Sequence, residues 1–132
     1  GKPATASRTG SGEVPAFAVD GMVEVRSAFE PTFWGSAPYP QWWMVDLEKA
    51  AKLKEVHLYT YWGDGRYYQY TIDGSIDGKV WTTLVDASRN TVAADAKGYT
   101  HTFNPTPARY VRVTMLKNSM NQGVHIVELR VY

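Results

Sequence analysis

The segment Trp62-Gly63-Asp64-Gly65-Arg66-Tyr67-Tyr68 puts an indole, a carboxylate, a guanidinium and two phenols within one short stretch. That mixture suits a sugar ring, which has an apolar face of C–H groups and a rim of hydroxyls. An aromatic platform takes the face. Arg66 can fork two hydroxyls, and Asp64 can accept from a vicinal pair. The two glycines let backbone approach closely. Trp34 and Tyr39 lie in a second aromatic stretch, and Asn118 and Asn121 supply planar amides in a third. Each has a plainer alternative: Trp34 and Trp62 as loop staples, Arg66 as a solvated turn residue or the ion-pair partner of Asp64. A further constellation concerns a hard cation, which wants six to eight oxygens from carboxylates and a bent loop. The loop from Phe17 to Ser27 turns at Asp20-Gly21. Glu128 interrupts an apolar run near the C-terminus, where a buried carboxylate needs a partner. The plainer alternative makes Asp20 an Asx-turn residue and Glu128 an exposed edge residue.

These groups need a scaffold, and the pattern around them is one of strands. Trp42 to Leu47, Val56 to Thr60, Tyr68 to Asp73, Trp81 to Val85, Tyr99 to Phe103, Tyr110 to Met115 and Val127 to Val131 are rich in β-branched and aromatic residues. Within them apolar and polar side chains alternate with period two. Turn chemistry at Asp20-Gly21, Asp64-Gly65 and Asp77-Gly78 breaks the runs, and helical periodicity is nearly absent. This predicts an all-β fold, an antiparallel β-sandwich, with long irregular stretches at 7–40 and 88–97. Trp42, Tyr68, Tyr70, Trp81, Phe103 and Tyr110 are expected to pack its core. Arg109 and Arg112 are expected to cover its outer face.

Composition narrows the function. With 132 residues the chain is one domain, large enough to bury a core unaided. A net charge of +1 lacks the basic footprint of nucleic-acid binding. The absence of cysteine removes disulfides, thiolate metal sites and cysteine nucleophiles. No apolar run is long enough to span a bilayer as a helix. His57, His101 and His125 form no metal or triad motif, and Glu24, Glu30 and Asp64 do not mark a glycosidase pair, so no catalysis is expected. The surplus is aromatic: five Trp, nine Tyr and four Phe, of which the loop residues have no core to explain them.

Five segments in order resemble a known family. Ala18-Val19-Asp20-Gly21, Pro40 to Leu47, Ser75 to Trp81, Ala108 to Val113 and Val127 to Tyr132 are similar to the discoidin-like (coagulation factor 5/8 type C) domain, and within it to carbohydrate-binding module family 32. The resemblance covers essentially the whole chain. It implies an eight-stranded discoidin-like jelly roll of the galactose-binding-domain type, with a ligand site in loops at one end and a buried structural calcium. By similarity Asp20 and Glu128 supply side-chain oxygens to the calcium, and Phe17, Met22 and Val127 supply carbonyls, with Ser27 as the candidate hydroxyl. The family's usual hydroxyl position holds Val25, leaving Ser27 as the nearest hydroxyl. Arg66 alone carries over as a sugar contact, the family's usual nearby Asn not being evident; Trp34, Tyr39, Trp62, Asp64, Tyr67, Asn118 and Asn121 are candidates by their own chemistry and loop positions. The resemblance further implies a non-catalytic, lectin-like module from a larger extracellular or cell-surface bacterial protein, tethering a glycan-active enzyme to its substrate. Expected partners are a galactose- or N-acetylhexosamine-like glycan, or an acidic polysaccharide met by Arg66 and Lys117, and a catalytic module on the same parent chain. The alternative is discoidin-type adhesion to membrane or protein. The missing cysteine and the Gly, Asp and Arg among the loop aromatics favour sugar over lipid.

Overall fold

The computed structural model describes residues 1–23 and 32–132. Glu24, Val25, Ser27 and Glu30 lie outside the described residues. Among those described there are eight strands and no α-helix. They are β1 (Ala4–Ala6), β2 (Trp34–Ser36), β3 (Gln41–Tyr59), β4 (Tyr68–Ser75), β5 (Thr82–Ala87), β6 (Tyr99–Asn118), β7 (Val124–Ile126) and β8 (Glu128–Val131). A single 3-10 turn covers Pro15–Val19, with proline at its start where a missing N–H costs nothing. The described strands all pair antiparallel, in the order β1-β3-β6-β4-β5 with β8 also on β3, and β2 with β7 separately.

Two long strands organise the sandwich. Residues 41–46 of β3 pair with 110–115 of β6, and 51–58 pair with 99–108, with a register shift between Asp46 and Ala51. Both strands fold over at this bulge, where Glu48 adopts φ 71° and its N–H is held by Asp46 Oδ1 at 2.7 Å. The reversal returns β3 to the end from which it started. Tyr39, just before β3, donates its N–H to Gln122, and Tyr59, at its far end, accepts from Val127. Both chain ends are tied beside the fold-over, because Asp46 donates to Pro3 and Lys54 donates to Tyr132.

The expected alternation holds on the inner face. Trp43, Val113, Ile72 and Val85 form one cross-strand row, all buried. Tyr68, Tyr70, Val111, Met115, Val56, Leu58 and Leu129 extend the same core. One aromatic assignment is inverted, since Trp43 is fully buried and Trp42 faces outward, half-buried. Period-two alternation separates neighbours onto opposite faces without saying which face is the core. Trp81, Phe103 and Tyr110 are likewise half-buried rather than interior. Arg112 lies over the Trp81 ring at 4.0 Å, and Arg109 pairs with Asp46 at 2.9 Å, covering the outer face as expected. The three Asp-Gly pairs do form turns: each glycine has positive φ, and each aspartate accepts a backbone N–H two residues on. The hairpin at Asp77-Gly78 is not a two-residue turn, however; its loop spans 76–81.

Candidate functional site at the loop end

Four connections meet at the end opposite the fold-over: residues 7–14, 37–40, 60–67 and 119–123. Main-chain bonds lock them together. Tyr67 and Ser119 exchange two bonds, from Ser119 N–H to the Tyr67 carbonyl at 3.0 Å and from Tyr67 N–H to the Ser119 hydroxyl at 2.9 Å. Gly10 donates to Gly35, and Gly35 donates back to Glu13. The long N-terminal stretch is also fixed from beneath. The indole N–H of Trp34 donates to Arg8 at 3.1 Å and that of Trp43 to Pro15 at 3.0 Å.

Arg66 is the best-held side chain of this end. Its Nε donates to both oxygens of Asp64 at 2.9 and 3.0 Å, and Nη2 reaches Asp64 Oδ2 at 2.6 Å. Its guanidinium lies over the Tyr61 ring at 4.6 Å. Nη1 reaches the Tyr68 hydroxyl at 3.4 Å. The paired carboxylate holds Arg66 firmly protonated, and hydrogen bonding by Arg66 holds Asp64 below the usual carboxylate range. The ion pair and the sugar contact are therefore not rival readings. Three of the five N–H groups of the fork are engaged and two have no partner among the described residues.

The relay continues to His125, which in the sequence belongs to no metal or triad motif. Arg66 can only donate, so the Tyr68 hydroxyl accepts from it and gives its own proton to Nδ1 of His125 at 2.8 Å. Burial first, and Arg66 second, push the imidazole pKa down to about 4. The ring is thus neutral near pH 7 with its proton on Nε2. Phe33, Tyr61 and Tyr68 hold it at ring-centroid distances of 5.3, 5.9 and 6.2 Å. Beside it opens a cavity of about 420 Å³ lined by Arg8, Glu13, Ser36, Gly123 and His125 among others. Glu13 and Ser36 escaped the sequence reading, and His125 entered it only as a histidine without a motif, because the three are scattered singly over the chain. The only signal was the nearby glycines at 10, 12, 35 and 123.

The expected contacts divide. Trp62 stands 42% exposed at the loop tip, as a platform requires. Tyr39 and Tyr67 are half-buried at the same end. Trp34 has no exposure at all, so it is a core residue and its faces are closed to any ligand. Asn118 is also corrected: it is buried, and its amide braces the loop through Asn121 Oδ1 at 3.0 Å, the Gly123 carbonyl at 2.9 Å and the Met120 N–H at 3.0 Å. Asn121 is exposed, but its carbonyl oxygen is spent on Asn118 and on the Gly123 N–H.

A second constellation lies where the 3-10 turn meets β8. Glu128 is only 5% exposed, which removes the exposed-edge alternative. Both its oxygens accept from the Gly21 N–H, at 3.2 and 3.1 Å. Burial, with Asp20 adding to it, raises its pKa to about 7. Asp20 does cap its own turn through the Met22 N–H at 2.9 Å. Among the described residues no three acidic or histidine side chains gather, so two carboxylates carry the charge here. Phe17, Met22 and Val127 lie on the same two segments. Two adjacent carboxylates, one held largely out of water, form a hard-oxygen donor set that fits calcium.

This geometry has relatives. The F5/8 type C domain model matches residues 3–129, and the chain belongs to that family. Among solved structures it is similar to the family 32 carbohydrate-binding module of AlyQ, crystallised with 4,5-unsaturated mannuronic acid, at 25% identity and TM-score 0.80, covering 98% of this chain and 93% of that one. It is similar to chitosan-binding module 1 of a chitosanase/glucanase from Paenibacillus sp. IK-5, at 30% identity and TM-score 0.77, covering 99% and 94%. It also matches the family 89 glycoside hydrolase of Clostridium perfringens in complex with PUGNAc, at 27% identity and TM-score 0.84; all of this chain then covers 14% of the enzyme. A comparison with curated proteins finds no match. The fold is the discoidin-type β-sandwich, and its neighbours are carbohydrate-binding modules, some joined to separate catalytic domains. Among the described residues no helix is long and apolar enough to cross a membrane.

Proposed function

We propose that this domain is a non-catalytic carbohydrate-binding module that holds an attached glycan-active enzyme on its substrate outside the cell. One observation carries the reading. At the loop end an exposed indole, Trp62, shares a short loop with a guanidinium already oriented by Asp64 and Tyr61 and still holding two N–H groups that no described residue engages. Orientation before binding limits the conformational entropy lost on association. Asp64, Tyr67, Tyr39 and the free side of Asn121 border the same place. The modules this chain resembles are described with mannuronate and chitosan, which supports a sugar without choosing one. A shallow site binds a single sugar weakly, and tethering to a catalytic module on the same chain raises the effective concentration.

We further propose a structural calcium held by Asp20 and Glu128, with the carbonyls of Phe17, Met22 and Val127 and the hydroxyl of Ser27 completing the shell. The cation would neutralise Glu128 and fix the loop that begins at the 3-10 turn.

A glycan array run beside liposome co-sedimentation tests the module. The wild type is expected on glycans and absent from lipid pellets. Arg66→Ala and Trp62→Ala are expected to lower array signal at least about tenfold while circular dichroism stays native. Lipid pelleting with an empty array supports the adhesion alternative and overturns the reading. Array binding kept by both variants overturns the site.

A further inference from the structure

The outer face of the larger sheet carries large side chains that the loop end does not account for. Trp43, Val113, Ile72 and Val85 turn inward, so the residues beside them form rows on the solvent side. One row runs Met44, Arg112, Asp73, Thr83 across β3, β6, β4 and β5. The next runs Trp42, Thr114, Thr71, Asp86 across the same strands. Tryptophan, methionine and arginine are side chains that interface cores favour, and lysine and glutamate, which such cores avoid, are absent from both rows.

Two charges at the centre of this face stand side by side and unspent. Arg112 and Asp73 are direct cross-strand partners, yet no ion pair joins them. The guanidinium lies over the Trp81 ring at 4.0 Å instead, and its Nε is shielded from solvent with no acceptor. Asp73 takes a hydrogen bond from the Thr83 hydroxyl at 2.9 Å, and among the described residues no cation reaches it. Arg109, on the same face, does have its carboxylate in Asp46. Arg112 has none among the described residues.

The arrangement is complementary to itself. A two-fold axis lying along the strands, midway between β6 and β4, turns this face onto a second copy. It sets Arg112 against the partner's Asp73 and, by the same operation, Asp73 against the partner's Arg112. In the neighbouring row it sets Thr114 against the partner's Thr71 and the Trp42 indole N–H against the partner's Asp86. Such reciprocity is what an isologous contact requires, and face-to-face packing of aligned sheets is an ordinary way to make one.

We propose that this sheet face joins two copies of the chain into a symmetric dimer through reciprocal Arg112–Asp73 ion pairs. At ordinary strand spacings the four strands over residues 41–46 cover about 400 Å² per copy. That is small for an interface, so the dimer is a weak one, with a dissociation constant of about 10–100 µM. Because the axis runs along the strands, both loop ends point the same way. The pair presents two loop ends to one surface, which raises effective concentration there. The dimer itself does not depend on the carbohydrate reading.

Sedimentation velocity of the chain from about 1 to 300 µM tests it, beside Asp73→Arg and Arg112→Asp. The wild type is expected to pass from monomer to dimer across that range. Each variant alone sets like charges against each other and is expected to associate at least about tenfold more weakly. Mixed in equal amounts, the two variants are expected to form a heterodimer, because every reversed charge then faces its opposite. Circular dichroism checks that both fold. Should Arg112→Asp not fold, Trp42→Glu, which sets a carboxylate against the partner's Asp86, is expected to weaken the dimer as well. A wild type that stays monomeric throughout overturns the proposal. So does a dimer that survives the reversals, or a mixture of the two folded variants that stays monomeric. A monomer that loses array binding on Arg112→Asp marks a second glycan surface and also overturns it. An empty glycan array beside an intact dimer overturns the carbohydrate reading alone.

Discussion

Trp34→Ala is expected to cost about 3–5 kcal/mol and to lower the melting temperature by roughly 15 °C, while Trp62→Ala stays within about 0.5 kcal/mol of wild type. The contrast follows from burial. Trp34 has no accessible surface, packs between the two halves of the sandwich, and fastens the N-terminal stretch through its bond to Arg8. Truncation removes a large apolar volume, leaves a cavity, and orphans the Arg8 carbonyl. Trp62 touches solvent at the loop tip, so its loss should appear in glycan binding and not in the melt. Thermal unfolding of the two variants side by side decides the matter. Equal melting temperatures would remove Trp34 from the core.

The second large effect concerns the cation. Without metal, burial raises the Glu128 pKa to about 7 in the folded chain from an ordinary value of 4.5. Between those values the folded state holds a proton that the unfolded state has released, so stability falls as pH rises across that window. Chelator-treated protein should therefore melt roughly 5 °C lower at pH 8 than at pH 5. A calcium ion held there would select the ionised form, so added calcium is expected to reverse the trend. At a hundredfold excess over its dissociation constant it contributes about 2.7 kcal/mol, a rise of roughly 10 °C at pH 8. Glu128→Gln should melt alike with and without calcium, and should lose the pH dependence. Wild-type melting that ignores both chelator and calcium would dismiss the site.

How far the residues themselves announced this molecule differs by level. The β-class, the strand positions and the Asp-Gly turns were legible because they are local. Period-two alternation and positive φ are properties of a few consecutive residues. The cluster in the loop Trp62 to Tyr68 was legible for the same reason, since its indole, carboxylate and guanidinium are contiguous. What failed was anything set by three dimensions. Trp42 and Trp43 are interchangeable by pattern, and only pairing with Thr114 and Val113 decides which one points inward. Asn118 looked like a ligand because an amide in a loop is equally suited to bracing that loop. Glu13, Ser36 and His125 come from three elements far apart in sequence, and no spacing rule joins them. The strands at 41–47 and 56–60 also looked separate, because the fold-over between them carries the charged and polar residues of a loop while the ladder runs on.

That fold-over has a mechanical consequence. Pro3 and Tyr132 are pinned on its two flanks, at the pole of the sandwich remote from Trp62, Arg66 and His125. Any polypeptide continuing from either end leaves from that pole. A tether would then pull on the long ladder of β3 and not on the loops, and a neighbouring domain would swing behind the loop end without shading it. The same chain could be strung between two larger bodies, like a bead threaded through one side, and still present Trp62 outward.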